Sequence, residues 1–489
     1  MTKNKVVNKK LVSSAVILSL QVLASALLAF LIYKLSVLPP LFLGGLVAVL
    51  LLLCLGSYLL MRPSKKKKNS LRPVIFKIVS LVMSIALIVG SLYIVKGGDA
   101  LANLTGANTK TSTYSLIVLK DSKVKDIYDL KRKTIAISTD YEEKTEDAVD
   151  LIKKEITNVR FEEVEKFADL ADVLYDKDAD AILIDEGLSG VLEERHPDFM
   201  NETKVVWTYG VDEIVDTIAK EVRVTKDPFN IYVSGIDTRG KVSTVSRSDV
   251  NMIVTVNPET KQILMTSIPR DYYVTLADMG KKDKLTHSGL SGTENTVKTV
   301  ENFMGIDINY YVRVNFTSVV KIVDALGGIT VTVPFDFYSG VDGSLFKKGT
   351  QTFNGEQAMK YCRERKAFGG GDGARVRNQQ VVLTAMIKKM ISPSIITKYN
   401  KILDAIDGSF ETNMKATDIT DLLEMQLSDM AAWDIQTITL TGTGKTMTGG
   451  AYMPSDNLYY LIPDEESIEK AGEYIDQMID GKKIIVTAE

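Results

Sequence analysis

Three long apolar runs fill the first hundred residues. Residues 11–33 carry no charge, residues 41–61 follow the Pro39-Pro40 break, and residues 74–95 hold only Lys77, near the entry end. At ~1.5 Å per helical residue, each can cross ~30 Å of hydrocarbon. Lys77 can extend its amine to the interface. The runs predict a membrane region over residues 1–97, with spans at about 11–33, 41–61 and 74–95. A cleaved signal peptide followed by buried helices is the alternative, and three long runs at this spacing argue against it. Residues 98–114 are small and polar and read as a linker.

Beyond the linker, short strands alternate with helices. Residues 115–119, 134–138, 159–161 and 181–184 read as strands, and 124–130, 142–156 and 167–175 as helices. That alternation predicts an accessory α/β domain over 115–215 with a partly parallel sheet. The stretches 124–137 and 180–185 resemble one lobe of a periplasmic solute-binding protein. Two roles fit such a domain: a ligand or partner lobe, or a structural insertion, because a fold does not fix a function.

A second soluble domain is predicted over 216–489, with its core at 230–392 and a C-terminal extension. Residues 231–235 form a strand, and 249–256 and 262–268 form a hairpin around Asn257-Pro-Glu-Thr260. Residues 310–315 and 329–333 are strands, 318–326 a helix, and 375–392 a long amphipathic helix. The fold class is therefore α/β: three N-terminal transmembrane helices, an accessory α/β domain, then a mixed-sheet α/β domain.

Charge separates the two parts. Of the 59 basic residues, 13 precede Asp99, but none of the 62 acidic ones does, which leaves a net charge of −16 on the remainder. Lys3, Lys5, Lys9 and Lys10 precede the first span; Arg62, Lys65 to Lys68 and Arg72 separate the second from the third; Lys34 alone separates the first from the second. Basic loops stay in the cytoplasm. The amino terminus is thus expected inside and everything after about Gly97 outside the cell membrane. An acidic soluble part argues against a nucleic-acid partner, whose binding faces are basic.

Cysteine and histidine limit the chemistry. Cys54 lies in an apolar run and Cys362 far along the chain, so no internal disulfide is expected. With His196 and His287 as the only histidines, zinc sites of the CxxC or HExxH type are excluded, and no GxSxG surrounds a serine. His287 reads as a polar loop residue, and Gly369-Gly-Gly371 lacks the Gly-Lys-Ser/Thr of a phosphate loop. Carboxylates, arginines and a hard metal ion remain.

Four charged clusters fall at strand or helix ends. They are Asp237 and Arg239 in Gly235-Ile-Asp-Thr-Arg-Gly240, Arg247 with Asp249, Arg270 with Asp271, and Arg363, Arg365, Asp372, Arg375, Arg377 and Gln379 between Tyr361 and Gln380. Strand ends present loops to ligands, and a helix start favours an anion. Arginine meets phosphate with paired donors and a charge that does not titrate away. Several arginines in an acidic domain suit a polyanion such as a diphosphate. Asp237 and Asp249 are candidate ligands for Mg²⁺.

These segments resemble the LytR–CpsA–Psr family. The resemblance runs from about Asn230 to Ser392: Gly235-Ile-Asp-Thr-Arg239, Arg247 with Asp249, Ser267-Ile-Pro-Arg-Asp271, Lys284-Leu-Thr-His287, Leu326-Gly-Gly328, and the block from Arg363 to Gln380. Three spans and an inserted α/β domain look like its capsule-locus members. One departure is Asn378, where many members have arginine; Arg377 is one helical position, ~100°, away.

The resemblance implies an extracellular, membrane-anchored transferase that moves capsular polysaccharide from a polyprenyl-diphosphate carrier to peptidoglycan. It implies Mg²⁺ on Asp237 and Asp249, and the diphosphate on Arg247, Arg270, Arg363, Arg365, Arg375 and Gln379, with Asp372 supporting the array. Arg270, Arg363, Arg365 and Asp271 would be catalytic, and Asp271 or Asp237 the base. Membrane lipid and capsule assembly proteins are the further partners expected. Val381, Val382, Ala385, Met386 and Met390 form an apolar face suited to a polyprenyl channel or to core packing. A diphosphatase acting on the same lipid-linked substrates, and an envelope sensor or transcriptional regulator of capsule synthesis, are the competing readings.

Overall fold

The computed structural model describes residues 13–35, 38–62, 72–104, 109–140, 142–214, 218–236, 243–364, 367–368, 371–392, 398, 401–402, 405 and 410–487. Side chains are described at all of these except 35, 96–104, 109, 142–144, 214 and 371–373. The chain forms two compact units: Met1–Thr105 with Lys388–Asp407 and Lys415–Ala432, and Gly106–Ile387 with Gly408–Met414 and Trp433–Glu489.

The first unit holds α1 (Ser14–Leu35), α2 (Pro40–Met61) and α3 (Arg72–Leu104), each long and apolar enough to cross a membrane. Pro40 opens α2, where its missing N–H is no loss. Many large apolar side chains stay exposed, Leu41 at 83%, as lipid-facing residues do. The polar Gln21 is instead fully buried and accepts a hydrogen bond from Ser80 Oγ at 2.5 Å, which joins α1 to α3.

The second unit begins with a five-stranded sheet. Its strands are β1 (Thr109–Leu119), β2 (Thr134–Ser138), β3 (Arg160–Val164), β4 (Ala181–Asp185) and β5 (Thr203–Ile214), in the order β3-β2-β4-β1-β5. β2 runs parallel to β3 and β4, while β1 is antiparallel to β4 and β5. The helices are α4 (Glu142–Glu155), α5 (Leu170–Tyr175), α6 (Ser189–Arg195) and α7 (Phe199–Glu202). Alternation along β1 sends Leu116 and Val118 to one face, with Ile152 of α4, and Ile117 to the other, with Leu170 and Leu192. The expected linker is corrected here: α3 continues to Leu104 and β1 already starts at Thr109. The polar stretch Thr109-Lys-Thr-Ser-Thr113 carries three β-branched threonines, and it pairs with β5 down to Thr109↔Ile214.

The second sheet comprises β6 (Phe229–Ile236), β7 (Ser248–Asn257), β8 (Gln262–Ile268), β11 (Tyr310–Asn315), β16 (Phe410–Thr412) and β17 (Asp434–Thr439), in the order β16-β11-β6-β7-β8-β17. Short ribbons surround it: β9 (Tyr273–Thr275) with β10 (Lys282–Lys284), β12 (Ile329–Val333) with β15 (Gly349–Phe353), β13 (Phe337–Tyr338) with β14 (Leu345–Phe346), and β18 (Gly442–Met447) with β19 (Leu458–Pro463). Asn257 closes the β7–β8 turn, its Oδ1 accepting from the N–H groups of Glu259 and Thr260 at 3.1 and 3.0 Å. α8 (Thr293–Met304) and α12 (Glu465–Ile479) cover one face, where Val297, Val300, Ile475 and Met478 meet Tyr232, Ile253 and Leu264. Three further helices are α9 (Phe316–Ala325), α10 (Gly355–Arg363) and α11 (Gly371–Met390). α11 meets the sheet through Thr384, whose hydroxyl reaches Met265 Sδ at 3.4 Å, and Gln380, which donates to the Ile438 carbonyl at 3.0 Å. It starts four residues before the expected Arg375, which therefore stands a full turn inside.

Candidate functional site: an arginine cluster at one edge of the sheet

Topology gathers the charged clusters. β6 is antiparallel to β7, β7 to β8, and β11 is parallel to β6. The carboxyl ends of β6, β8 and β11 and the amino end of β7 therefore share one edge. Arg247 precedes β7, Asp249 is its second residue, and Arg270 lies two residues past β8. At Gly289 a Cβ would sit 2.5 Å from the Ser246 carbonyl. Only glycine lets the 3₁₀ turn Leu285–Ser291 pack onto the entry of β7. That contact brings Thr286 to Asp249.

Asp249 is 9% exposed, and its Oδ1 accepts hydrogen bonds from Arg270 Nη1 at 2.8 Å and Thr286 Oγ1 at 3.3 Å. Burial would raise its pKa, but the charges of Arg270, Arg247 and Arg375 outweigh that and hold the carboxyl below its ordinary range. Arg375, on α11, is buried at 7%. Three arginines far apart in sequence thus act on one buried carboxylate. Asp271 is mostly buried beside Arg270, its Oδ1 3.7 Å from Nε.

Arg247 makes its hydrogen bonds to the accessory domain. Nη1 donates to the Gly190 carbonyl at 3.3 Å and Nη2 to Glu193 Oε2 at 3.0 Å. A Cβ on Gly190 would lie 2.3 Å from the Arg247 Nε, so this approach needs glycine there.

Arg363 ends α10 with its guanidinium over the ring of Phe316, 4.8 Å from the centroid. Phe316 follows Asn315, which pairs with Ile236, so Arg363 belongs to the same edge of the sheet. The next residue, Glu364, is buried and braces the loop: its carboxylate accepts from the N–H groups of Gly340 at 2.6 Å and Ala367 at 3.0 Å. Asn378 donates to the Glu364 carbonyl at 3.3 Å. Asparagine at this position is thus a buried clasp between α11 and the Arg363 loop. Arg377 is exposed and points away from where Asn378 points.

Gln379 is half-buried on α11. Asp237 and Arg365 lie outside the described residues, and the side chain of Asp372 is not among those described. The reading of His287 as a polar loop residue is corrected: it is fully buried, with Nδ1 3.0 Å from Asp283 Oδ1. Burial would raise the Asp283 pKa, but His287 and two backbone N–H groups outweigh that and lower it, so the pair is an internal tie. Of the apolar face proposed on α11, Val382, Ala385 and Met386 are buried and Val381 is 38% exposed. Sequence reasoning missed Thr286 and Glu364, although both lie in segments it had singled out. It had no signal for Glu193, whose partner is 54 residues away.

The donor set fits a hard cation in one respect. Among the described residues both side chains that donate to Asp249 end on Oδ1, and Oδ2 would be the oxygen offered to a cation. One carboxylate is a usual protein share for Mg²⁺ when phosphate oxygens and waters supply the rest. Among the described residues no group of three or more His, Cys, Asp or Glu side chains could hold a metal. With three guanidinium groups around it, Asp249 would take a cation together with an anion, which restores the balance of charge.

The LytR_cpsA_psr family matches residues 201–474. The chain is 37% identical over 267 residues to the polyisoprenyl-teichoic acid–peptidoglycan teichoic acid transferase TagV of Bacillus subtilis, covering 53% of this chain and 66% of that protein. It is 36% identical over 251 residues to the corresponding transferase TagU of the same organism, covering 51% and 78%. The crystal structure of B. subtilis TagV covers 52% of this chain and 98% of its own, at 36% identity and a TM-score of 0.45. With more than half of its length matched, the chain belongs to the LytR_cpsA_psr family.

Proposed function

We propose that this protein is a membrane-anchored transferase that moves a glycopolymer from a polyprenyl-diphosphate carrier to peptidoglycan, outside the cytoplasm. The convergence of Arg247, Arg270 and Arg375 on buried Asp249 carries this reading. Fixed guanidinium groups in a poorly solvated site bind a diphosphate and stabilise the charge that grows on it. The names of two family members, both teichoic acid transferases, support the reaction class. Capsular polysaccharide is the polymer we propose, because three spans and an accessory α/β domain resemble the organisation of the family's capsule-locus members.

In this reading Arg270 and Arg375 grip the diphosphate from the sheet and from α11, Arg363 meets it from the end of α10, and Arg365 is a further diphosphate ligand. A wall-sugar hydroxyl attacks the linkage to the carrier, and the negative charge that develops on the leaving phosphate is met by these arginines. Asp271 or Asp237 takes the hydroxyl proton. Mg²⁺, held by Asp249 and Asp237, would add Lewis-acid stabilisation of phosphate oxygens. Asp249 also fixes Arg270 through its 2.8 Å bond.

The test uses the full chain in nanodiscs, a polyprenyl-diphosphate-linked oligosaccharide and peptidoglycan. We expect glycan on peptidoglycan only when acceptor is present, and a loss of at least ~100-fold in Arg270→Ala, the scale of removing one oxyanion donor. Free glycan formed equally without acceptor would point to a diphosphatase. Full activity of Arg270→Ala would remove the site assignment. An Asp249→Asn variant with an unchanged Mg²⁺ titration would remove the metal.

A further inference from the structure

A cavity lies between the accessory domain and the second domain, remote in chemistry from the arginine cluster. β2, β3 and β4 are parallel, so their carboxyl ends share one edge. The chain leaves β2 for β3 on one side and returns to β4 on the other, which makes the gap between β2 and β4 a topological switch point. Ligands of open α/β sheets bind outside carboxyl strand ends at such a point. A cavity of about 160 Å³ lies there. Ser138, the last residue of β2, and Asp185, the last of β4, flank it; Phe167 follows β3 into its wall. Asp278, Leu290 and Tyr452 of the second domain close the far side.

The lining is negative. Among the described residues none that line it is lysine, arginine or histidine, and two are aspartates. Asp185 is 9% exposed. Two tyrosines contribute ring surface, and their hydroxyls report the local field. Burial raises the pKa of Tyr114, and Asp185, Glu213 and Asp147 raise it further. Burial likewise raises that of Tyr452 against an opposing hydrogen bond with Ser291, and Asp278, Asp283 and Asp185 add to the rise. Both phenols remain protonated, and Asp185 acts on both. Aromatic surface beside carboxylates attracts an ammonium group, whereas an anion would be repelled. A cavity of ~150 Å³ has room for one benzene-sized ring.

We propose that this cleft between the accessory sheet and the second domain binds a small organic cation, a protonated amine on a body about the size of one six-membered ring. The site stands independently of the transferase reading. Asp185 pairs the ammonium, the aromatic and leucine walls take the ring, and the Ser138 and Ser291 hydroxyls accept from the remaining N–H groups.

The experiment measures binding of cyclohexylamine, cyclohexanol and cyclohexanecarboxylate to the full chain in nanodiscs at neutral pH, against empty nanodiscs. Cyclohexylamine should bind at least tenfold more tightly than cyclohexanol, and the carboxylate should not bind. Asp185→Asn keeps an acceptor for the Gly187 N–H that Asp185 now caps, and should weaken amine binding at least tenfold. If that variant does not fold, Asp278→Asn, whose side chain is exposed, decides by a several-fold loss. Arg270→Ala should bind the amine normally, which separates this site from the diphosphate site. Equal binding of all three probes, or amine binding untouched by both aspartate substitutions, overturns the proposal.

Discussion

Glu193 of the accessory domain holds Arg247 of the arginine cluster at 3.0 Å. The two residues that follow it on α6 also reach the second domain: Glu194 pairs with Lys284 at 2.7 Å and Arg195 with Asp456 at 3.0 Å. One turn of helix thus ties the accessory domain to the edge that carries the candidate site. Arg247 cannot give the same two donors to Glu193 and Gly190 and to a diphosphate. Glu193→Gln should therefore release it. The pair is partly exposed, at 21% and 30%, so its worth is about 0.5–1 kcal/mol. We expect KM for the lipid-linked substrate to fall about two- to fivefold in Glu193→Gln, with kcat little changed, and to rise in Arg247→Ala. Steady-state kinetics in nanodiscs checks both directions.

Gly190 gives a separate handle on the same contact. A methyl group there would meet the Arg247 guanidinium at 2.3–2.6 Å. Overpacking of this kind costs about 1–3 kcal/mol. Gly190→Ala should lower thermal stability, and most of that loss should disappear in an Arg247→Ala background. A double-mutant cycle measures the coupling. Additive effects would place the strain elsewhere.

How much of this could be read from residue order differs between levels. The β7–β8 hairpin was legible because Asn257-Pro-Glu-Thr260 is turn chemistry between two apolar runs. Asp249 and Arg270 were legible as charges at strand ends, and the sheet order explains why those ends coincide, whereas Arg375, expected at a helix start, stands a turn inside α11. β5 was not anticipated, because its twelve residues mix Lys, Asp and Glu with aromatic and β-branched ones. Only pairing along β1 makes it a strand, and such pairing is a tertiary fact. His287 was misread for a similar reason. A histidine between polar residues looks solvated until Asp283 and the ring of Tyr452 enclose it. Asn378, a departure from the family in sequence, becomes intelligible once its hydrogen bond to Glu364 is seen.

The buried Asp249 sets a pH dependence with a definite sign. Its three arginines lower its pKa in the folded chain, although burial opposes them. The unfolded chain, with a carboxyl pKa near ~3.9, takes up the proton more readily. Stability therefore rises with pH through this range and is complete above about pH 5. As pH falls below about 4 and towards the lower folded value, the contribution fades. Asp249→Asn lacks this ionisation. The wild type should be the more stable at pH 7, and the gap should narrow steadily towards pH 3 in thermal melts. A gap that widens on acidification would contradict the assigned shift.

Orientation in the membrane rests on the distribution of positive charge. Ten basic residues fall before the first apolar run (11–33) or between the second (41–61) and the third (74–95), against Lys34 alone between the first and the second. Because basic loops are retained in the cytoplasm, we expect the amino terminus inside and, after three crossings, the remainder of the chain outside. A reporter enzyme that folds only outside the cytoplasm, fused after Glu489, should be active. Replacing Lys65 to Lys68 with glutamine removes four of those ten charges and should lower the active fraction, because the loop before α3 loses its strongest anchor. A silent reporter on the unaltered chain, at normal protein levels, would place the arginine cluster in the cytoplasm. It would then be on the wrong side for peptidoglycan, and the transferase proposal would fail with the topology.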